Sequence, residues 1–142
     1  MNRTVSNALG MGSSWLKRLF PNTLRMEFCG ESFLFDKERR RLFAHIREPY
    51  WKAWRDFGWS VRCPGIGLNR LVLEFAKQNR VSIFIIVGDN WNRAYRTDLE
   101  YWLTNGDHKT VNGVEVLVLP WHESHFQTVT MNDLVEGESC DE

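Results

Sequence analysis

The sequence contains few cysteines and no long apolar segment. Cys29, Cys63 and Cys140 lie far apart and form no C-x-x-C pair, so their spacing indicates neither a disulfide framework nor a zinc knuckle. The longest uninterrupted apolar run is Ile83 to Val87, far below the roughly 18 to 20 residues that a membrane span requires. The first residues also lack the apolar core of a signal peptide. We therefore expect an intracellular, cytoplasmic protein in a reducing compartment.

No complete metal or nucleotide motif is present either. The run Pro64-Gly65-Ile66-Gly67 lacks the third glycine of a dinucleotide fingerprint and the Lys-Ser/Thr of a phosphate-binding loop, so we interpret it as a turn. His122 and His125 lie three residues apart, but the spacing supplies no third ligand to complete a metal site. The sequence predicts no metal and identifies no cofactor.

The composition is that of a soluble globular protein whose ends differ from its middle. The 142 residues, 43% of them hydrophobic, are enough for a single domain with one core. Residues 1–23 carry three basic residues, no acid and a Gly/Ser/Asn-rich opening, which predicts a flexible basic arm. Residues 127–142 carry five acids and no base, which predicts a disordered acidic tail. The folded domain is therefore expected over residues 24–126.

Short β-prone runs open this predicted domain. The runs Leu24 to Cys29, Glu31 to Asp36 and Arg41 to Ile46 are separated by a glycine and by a charged segment, a pattern typical of an antiparallel meander. After Pro49, apolar residues at helical spacing over residues 50–57 predict a short amphipathic helix. A short strand is expected over residues 59–63.

Helices and strands alternate in the second half. From Leu68 onward, apolar residues recur at i, i+3, i+4, i+7 and i+8 and predict a helix, and the continuous apolar run over residues 81–87 predicts a central strand covered on both faces. Thr97 and Glu100 fit a capping box at the start of another helix. Val114 to Leu119 predicts the last strand before Pro120. The expected fold class is α/β or α+β, with a mixed sheet formed by a β-meander followed by αβαβ and with helices packed on the sheet.

Charge is distributed unevenly along the chain. Residues 1–80 carry 15 Lys/Arg against 7 Asp/Glu, whereas residues 81–142 carry 3 against 11. Positive charge attracts phosphates, and exposed aromatic rings stack on unpaired bases; tryptophans alternate with cations in this region. The leading hypothesis is therefore binding of DNA, RNA or another polyanion through a basic β-hairpin region. Its predicted contact residues are Lys37, Arg39, Arg40, Arg41, Arg47, Lys52 and Arg55.

Three other hypotheses follow from particular residues. Because ligands of open α/β sheets bind beyond the carboxyl ends of strands, Asp89, Asn90 and Arg93 form a candidate ligand site. The seven tryptophans favour a protein-interaction module or homodimer with an aromatic interface. A metal-dependent nuclease with degenerate motifs would use Asp36, Asp89 or Asp98 as a metal ligand.

Overall fold

The structure, a computed structural model, describes residues 17–46, 65–87, 93–120 and 125–136 of the chain. These residues form two β-sheets with helices packed against them, which confirms the predicted α/β class with a mixed sheet. The predicted helix over residues 50–57 and the short strand over residues 59–63 lie outside the described residues. Within the described ranges, no helix combines the length and the apolar character needed to cross a membrane.

The described part of the chain contains nine strands and three helices, besides a helical turn at residues 17–19. The strands are β1 (Leu24–Phe28), β2 (Glu31–Asp36), β3 (Arg41–Ile46), β4 (Ile66–Asn69), β5 (Ser82–Val87), β6 (Arg93–Thr97), β7 (Asp107–Val111), β8 (Val114–Leu119) and β9 (Phe126–Val129). The helices are α1 (Arg70–Asn79), α2 (Leu99–Asn105) and α3 (Met131–Glu136). The larger sheet has the order β1-β2-β3-β5-β6-β9, and the smaller sheet has the order β4-β8-β7.

The centre of the larger sheet is a parallel pair, β3 and β5. Their register runs from Arg41 opposite Ser82 to Ile46 opposite Val87, while all other neighbouring strands of this sheet are antiparallel. Every residue of β3 is buried, as is β5 from Ile83 onward. A strand covered on both faces has no reason to alternate apolar and polar residues. The predicted meander and the predicted central strand are therefore both confirmed.

The smaller sheet corrects the prediction for residues 64–69. We predicted a turn at residues 64–67 and a helix from Leu68, but Ile66–Asn69 forms β4, which pairs antiparallel with β8. The helix begins at Arg70, where the Asn69 side chain accepts a hydrogen bond of 2.8 Å from the backbone N–H of Leu71. Helical periodicity at Leu68 was misleading because pairing with a distant strand outweighs a local pattern of apolar residues.

The predicted capping box at the start of α2 is also wrong, by one residue. Asp98 is the N-cap, and its Oδ1 accepts a hydrogen bond of 3.1 Å from the backbone N–H of Tyr101. The Thr97 hydroxyl instead donates to the carbonyl oxygen of Ile83. Thr97 ends β6, so its side chain is committed to the sheet and the next residue caps the helix.

The two faces of the larger sheet support separate groups of core residues. The first face packs against α1, α2 and the smaller sheet, and its core includes Phe33, Leu42, Ile85, Leu73 and Trp102. Trp102 is 0% exposed, and its Nε1–H donates to the carbonyl oxygen of Leu117 at 2.8 Å. This satisfied indole N–H allows the largest side chain of the core to be fully buried.

The second face is covered by segments from near both ends of the chain. Phe20, which follows a helical turn at residues 17–19, and Leu134 of α3 pack on Leu34, Phe43 and Phe84. The residues that we predicted as arm and tail therefore belong to the folded unit wherever they are described: residues 17–23 at one end and 127–136 at the other. Composition suggested disorder because these segments are polar on average, yet each contributes one large apolar anchor.

Candidate functional site

The turn between β2 and β3 carries three of the cations predicted to bind nucleic acid, Lys37, Arg39 and Arg40. Asp36 Oδ1 accepts a hydrogen bond of 3.1 Å from the backbone N–H of Arg39, and Arg40 has a positive φ of 55°. An aspartate that bonds to the backbone of a following residue is a common way of closing a turn. Lys37 and Arg39 remain exposed on it, separated by the exposed Glu38.

Arg41 does not belong to this exposed group. It is 5% exposed, and its guanidinium forms an ion pair of 2.8 Å with Asp36 and donates to the carbonyl oxygen of Leu134 at 3.0 Å. The same guanidinium lies over the rings of Phe20 and Phe43. Our assignment of Arg41 to a phosphate-binding surface is therefore wrong. Arg41 is the first residue of β3, which is buried on both faces, and its side chain lies on the second face of the sheet, as that of Phe43 does.

Arg40 connects the turn to the end of helix α1. Its Nη2 donates to the carbonyl oxygen of Asn79 at 2.6 Å, and its own carbonyl oxygen accepts a hydrogen bond of 2.9 Å from Ser82 N–H. Its guanidinium also lies 5.6 Å from the ring centroid of Phe35. A cation that binds the last carbonyls of a helix is favourably placed against the helix dipole. Arg40 therefore holds the turn against the link between α1 and β5.

Further cations lie on and beside the segment that joins α1 to β5. Arg80 follows α1 with a positive φ of 56° and is exposed, and Arg96 of β6 donates to the Ser82 hydroxyl at 3.2 Å. Lys77, in the last turn of α1, is exposed and lies 3.7 Å from Glu100. We call this group the basic end of the sheet. It comprises Lys37, Arg39, Arg40, Lys77, Arg80 and Arg96.

Sequence reasoning identified three of these six residues and missed Lys77, Arg80 and Arg96. The first strand residues of β3 and β5 lie directly opposite each other, so the turns that precede the two strands meet at the same end of the sheet. A prediction that β3 and β5 are parallel neighbours would have revealed this. Three of the other predicted contact residues, Arg47, Lys52 and Arg55, lie outside the described residues.

A cleft opens at the same end of the larger sheet. Its volume is about 380 Å³, and its polar lining consists of Ser82, Arg96, Thr97, Asp98, Glu100, His125 and Gln127. The imidazole of His125 stacks on the ring of Tyr101, with centroids 3.6 Å apart and an angle of 12° between the planes. We call this the Arg96 cleft. It places a cation, two carboxylates and a stacked imidazole around one opening.

The carboxyl ends of β3 and β5, at the opposite end of the sheet, carry our second candidate site. Arg93 begins β6 opposite Val87 and is half-buried, whereas Asp89 and Asn90 lie outside the described residues. Because Val87 belongs to the first core and directly opposite residues share a face, Arg93 lies on that face of the sheet as well.

Glu31 is a buried carboxyl group on the same face that sequence reasoning did not nominate. It begins β2 directly opposite Phe28, it is 5% exposed, and its Oε1 has no hydrogen-bond partner in the described part of the chain. Burial raises the pKa of Glu31 to about 7, because a carboxylate removed from water loses its hydration. Three strand spacings separate Glu31 from Arg93, or about 14 Å, so the structure does not bring these two side chains together.

The carboxylates proposed for a nuclease already make contacts within the fold where the structure describes them. Asp36 is paired with Arg41, and Asp98 caps α2. Among the described residues, no three His, Cys, Asp or Glu side chains cluster closely enough to hold a metal ion. The aromatic interface remains a prediction, because Trp102 is the one tryptophan in the described ranges and it is fully buried.

Comparison with known proteins adds no functional assignment. No protein-family model matches the chain, and neither a curated protein nor a solved structure matches it at a significant level.

Proposed function

We propose that this protein binds nucleic acid, DNA or RNA, through the basic end of the sheet. The observation that supports this proposal is the pair of hydrogen bonds made by Arg40 to Asn79 and Ser82. These bonds hold the turn that carries Lys37 and Arg39 against the segment that carries Arg80. Several cations are thereby concentrated at one end of a rigid sheet, which suits the closely spaced phosphates of a nucleic acid.

The charge balance of this end favours an anionic partner. Six cations share this end with three carboxylates, Glu38, Asp98 and Glu100, and five of the six cations are exposed. A fourth carboxylate, Asp36, is paired with the buried Arg41. Each phosphate neutralised by such a side chain releases condensed counterions from the nucleic acid. The cations of the basic end are expected to contact phosphates rather than bases, so the affinity falls steeply as salt is raised.

Two charge reversals test the proposal. Arg39→Glu changes the net charge by −2 at the exposed turn of the basic end, and Lys109→Glu makes the same change on β7, an edge strand of the smaller sheet. Binding of a fluorescent oligonucleotide of about 10 nucleotides is followed by anisotropy between about 50 and 200 mM salt. We expect Arg39→Glu to weaken binding and to reduce the salt slope by about 1 to 2. Lys109→Glu is expected to keep the affinity and the salt slope of the unmodified protein.

The outcomes separate specific from general electrostatics. Equal weakening by the two variants would show that total charge, not the basic end, governs association. No binding by the unmodified protein at the lowest salt would overturn the proposal. Heparin in place of the oligonucleotide is a further arm, since equal affinity for both would assign the surface to polyanions in general.

A further inference from the structure

The Arg96 cleft adjoins the basic end of the sheet and shares residues with it. Arg96 lines the cleft and belongs to the basic end, and its Nη2–H bonds to Ser82 of the same wall. Glu100, also in the lining, lies 3.7 Å from Lys77 of the basic end. The mouth of this cleft therefore lies beside the cations proposed to hold the phosphates.

The size and the walls of the cleft suit a single flat polar group. A volume of about 380 Å³ lies at the lower limit of ordinary small-ligand sites, which range from about 300 to 1,000 Å³. His125 is fixed in the wall by its stack on Tyr101, and Val81 and Leu99 add apolar lining. Unpaired bases stack on rings of this kind, whereas a base inside a duplex is already stacked and paired.

The polar groups of the cleft favour a base with neighbouring N–H donors. Asp98 uses Oδ1 to accept from the backbone N–H of Tyr101, and its other carboxylate oxygen has no hydrogen bond to a described residue. Glu100 provides a second, exposed carboxylate. Guanine presents N1–H and the N2 amino group side by side on its Watson–Crick edge, and a carboxylate can accept from both. Thymine and uracil present one N–H between two carbonyl acceptors, which a carboxylate would repel.

We propose that the Arg96 cleft receives one unpaired base of a single-stranded nucleic acid, with guanine preferred through Asp98 and Glu100. This inference rests on the proposed function, because the phosphates must first be held by the basic end. It adds a preference for single strands and for one base at one position of the strand. Arg96 bonds the adjacent phosphate, and His125 provides the stacking surface.

The test uses a thymidine oligonucleotide of about 10 nucleotides with deoxyguanosine, deoxyinosine or thymidine at its centre. Inosine lacks the N2 amino group but keeps N1–H. We expect deoxyguanosine to strengthen binding by about tenfold over thymidine, in the range of one good bidentate contact. Deoxyinosine is expected to bind about threefold more tightly than thymidine, because one of the two donors of guanine is lost.

Two neutralising substitutions remove the carboxylates with little effect on folding. Asp98→Asn keeps the helix cap, since asparagine caps as well as aspartate, and Glu100→Gln lies at an exposed position. The double variant is expected to lower the deoxyguanosine preference to about twofold or less. Glu27→Gln combined with Asp107→Asn removes two exposed carboxylates elsewhere and is expected to retain the tenfold preference.

Each outcome bears on a different proposal. Binding of the all-thymidine strand without any gain from deoxyguanosine would overturn the base preference and leave the proposed function standing. A preference that survives in the Asp98→Asn, Glu100→Gln variant would also overturn it. Failure of every oligonucleotide to bind would overturn the proposed function itself.

Discussion

Replacing Glu31 with glutamine is expected to change how the stability of the protein depends on pH. The pKa of Glu31 is about 7 in the folded protein, against an ordinary value of 4.5. The folded state therefore holds the proton more tightly than the unfolded state does, so protonation stabilises the fold. This contribution is fully present below pH 4.5 and is lost as the pH rises through 7. At about 1.36 kcal/mol per pKa unit, ionising the buried carboxyl costs about 3 kcal/mol.

Glutamine has nearly the same shape as protonated glutamate and does not ionise. The free energy of unfolding of Glu31→Gln, relative to that of the unmodified protein, is therefore expected to rise by about 2 to 3 kcal/mol between pH 5 and pH 8. Urea unfolding followed by far-UV circular dichroism at several pH values measures this difference. Comparing two proteins cancels the other titrating groups, which both share.

Glu27→Gln is the control for loss of a carboxylate. Glu27 is exposed on the neighbouring strand β1. The free energy of unfolding of this variant is expected to stay within about 0.5 kcal/mol of that of the unmodified protein at every pH. If the curves of unfolding free energy against pH for Glu31→Gln and the unmodified protein ran parallel, Glu31 would not be a buried carboxyl group, and the reasoning from its burial would be refuted.

Three further substitutions test the contacts that hold the fold and the basic end in place. Arg41→Met leaves the Asp36 carboxylate, 13% exposed, without its ion-pair partner, and urea unfolding should show that the free energy of unfolding falls by about 3 to 5 kcal/mol. A fall below about 1 kcal/mol would mean that the pair is solvated. Trp102→Phe deletes the hydrogen bond to Leu117 and leaves a void, with an expected loss of about 2 kcal/mol in the same assay. Arg80→Gly should raise stability by about 1 kcal/mol because its φ is positive, yet weaken oligonucleotide binding; a gain in both would argue against the basic end.

The elements that the sequence predicted well are those whose signal is local. The ranges predicted for β2, β3 and β8 coincide with the observed strands, because β-branched and aromatic runs bounded by turn residues need no distant partner to be recognised. The prediction for β5 succeeded for a related reason, since its unbroken apolar run is uncommon outside a strand covered on both faces.

Two of the missed strands, β6 and β7, are polar and depend on distant pairing. β6 and β7 contain arginine, lysine, histidine and aspartate, and neither shows an alternating apolar face. β6 exists because it lies between β5 and β9, and β7 exists because it pairs with β8. Strand propensity measures fit to neighbouring strands, so a polar segment between two partners cannot be recognised on its own.

The candidate site was predictable in part for the same reason. Arg39, Arg40 and Arg41 are consecutive and chemically identical in the sequence, yet one is exposed, one binds a helix end and one is buried. Their different roles arise from the turn geometry and from the arrival of α1 and α3. Glu31 could not be recognised either, because its burial depends on tertiary packing around the start of β2.

The topology also constrains the order in which the fold can form during synthesis. β9 lies beside β6, and Leu134 covers the second face, so a nascent chain that has emerged only to residue 120 has neither. Such a chain lacks the strand that pairs with the outer edge of β6. It also lacks Leu134, so Phe20 is left to cover Phe43 and Phe84 without it. Unpaired edges and uncovered apolar surface invite association with other chains. We therefore expect residues 125–136, which supply β9 and Leu134, to reduce the association of partly synthesised chains once they have been added.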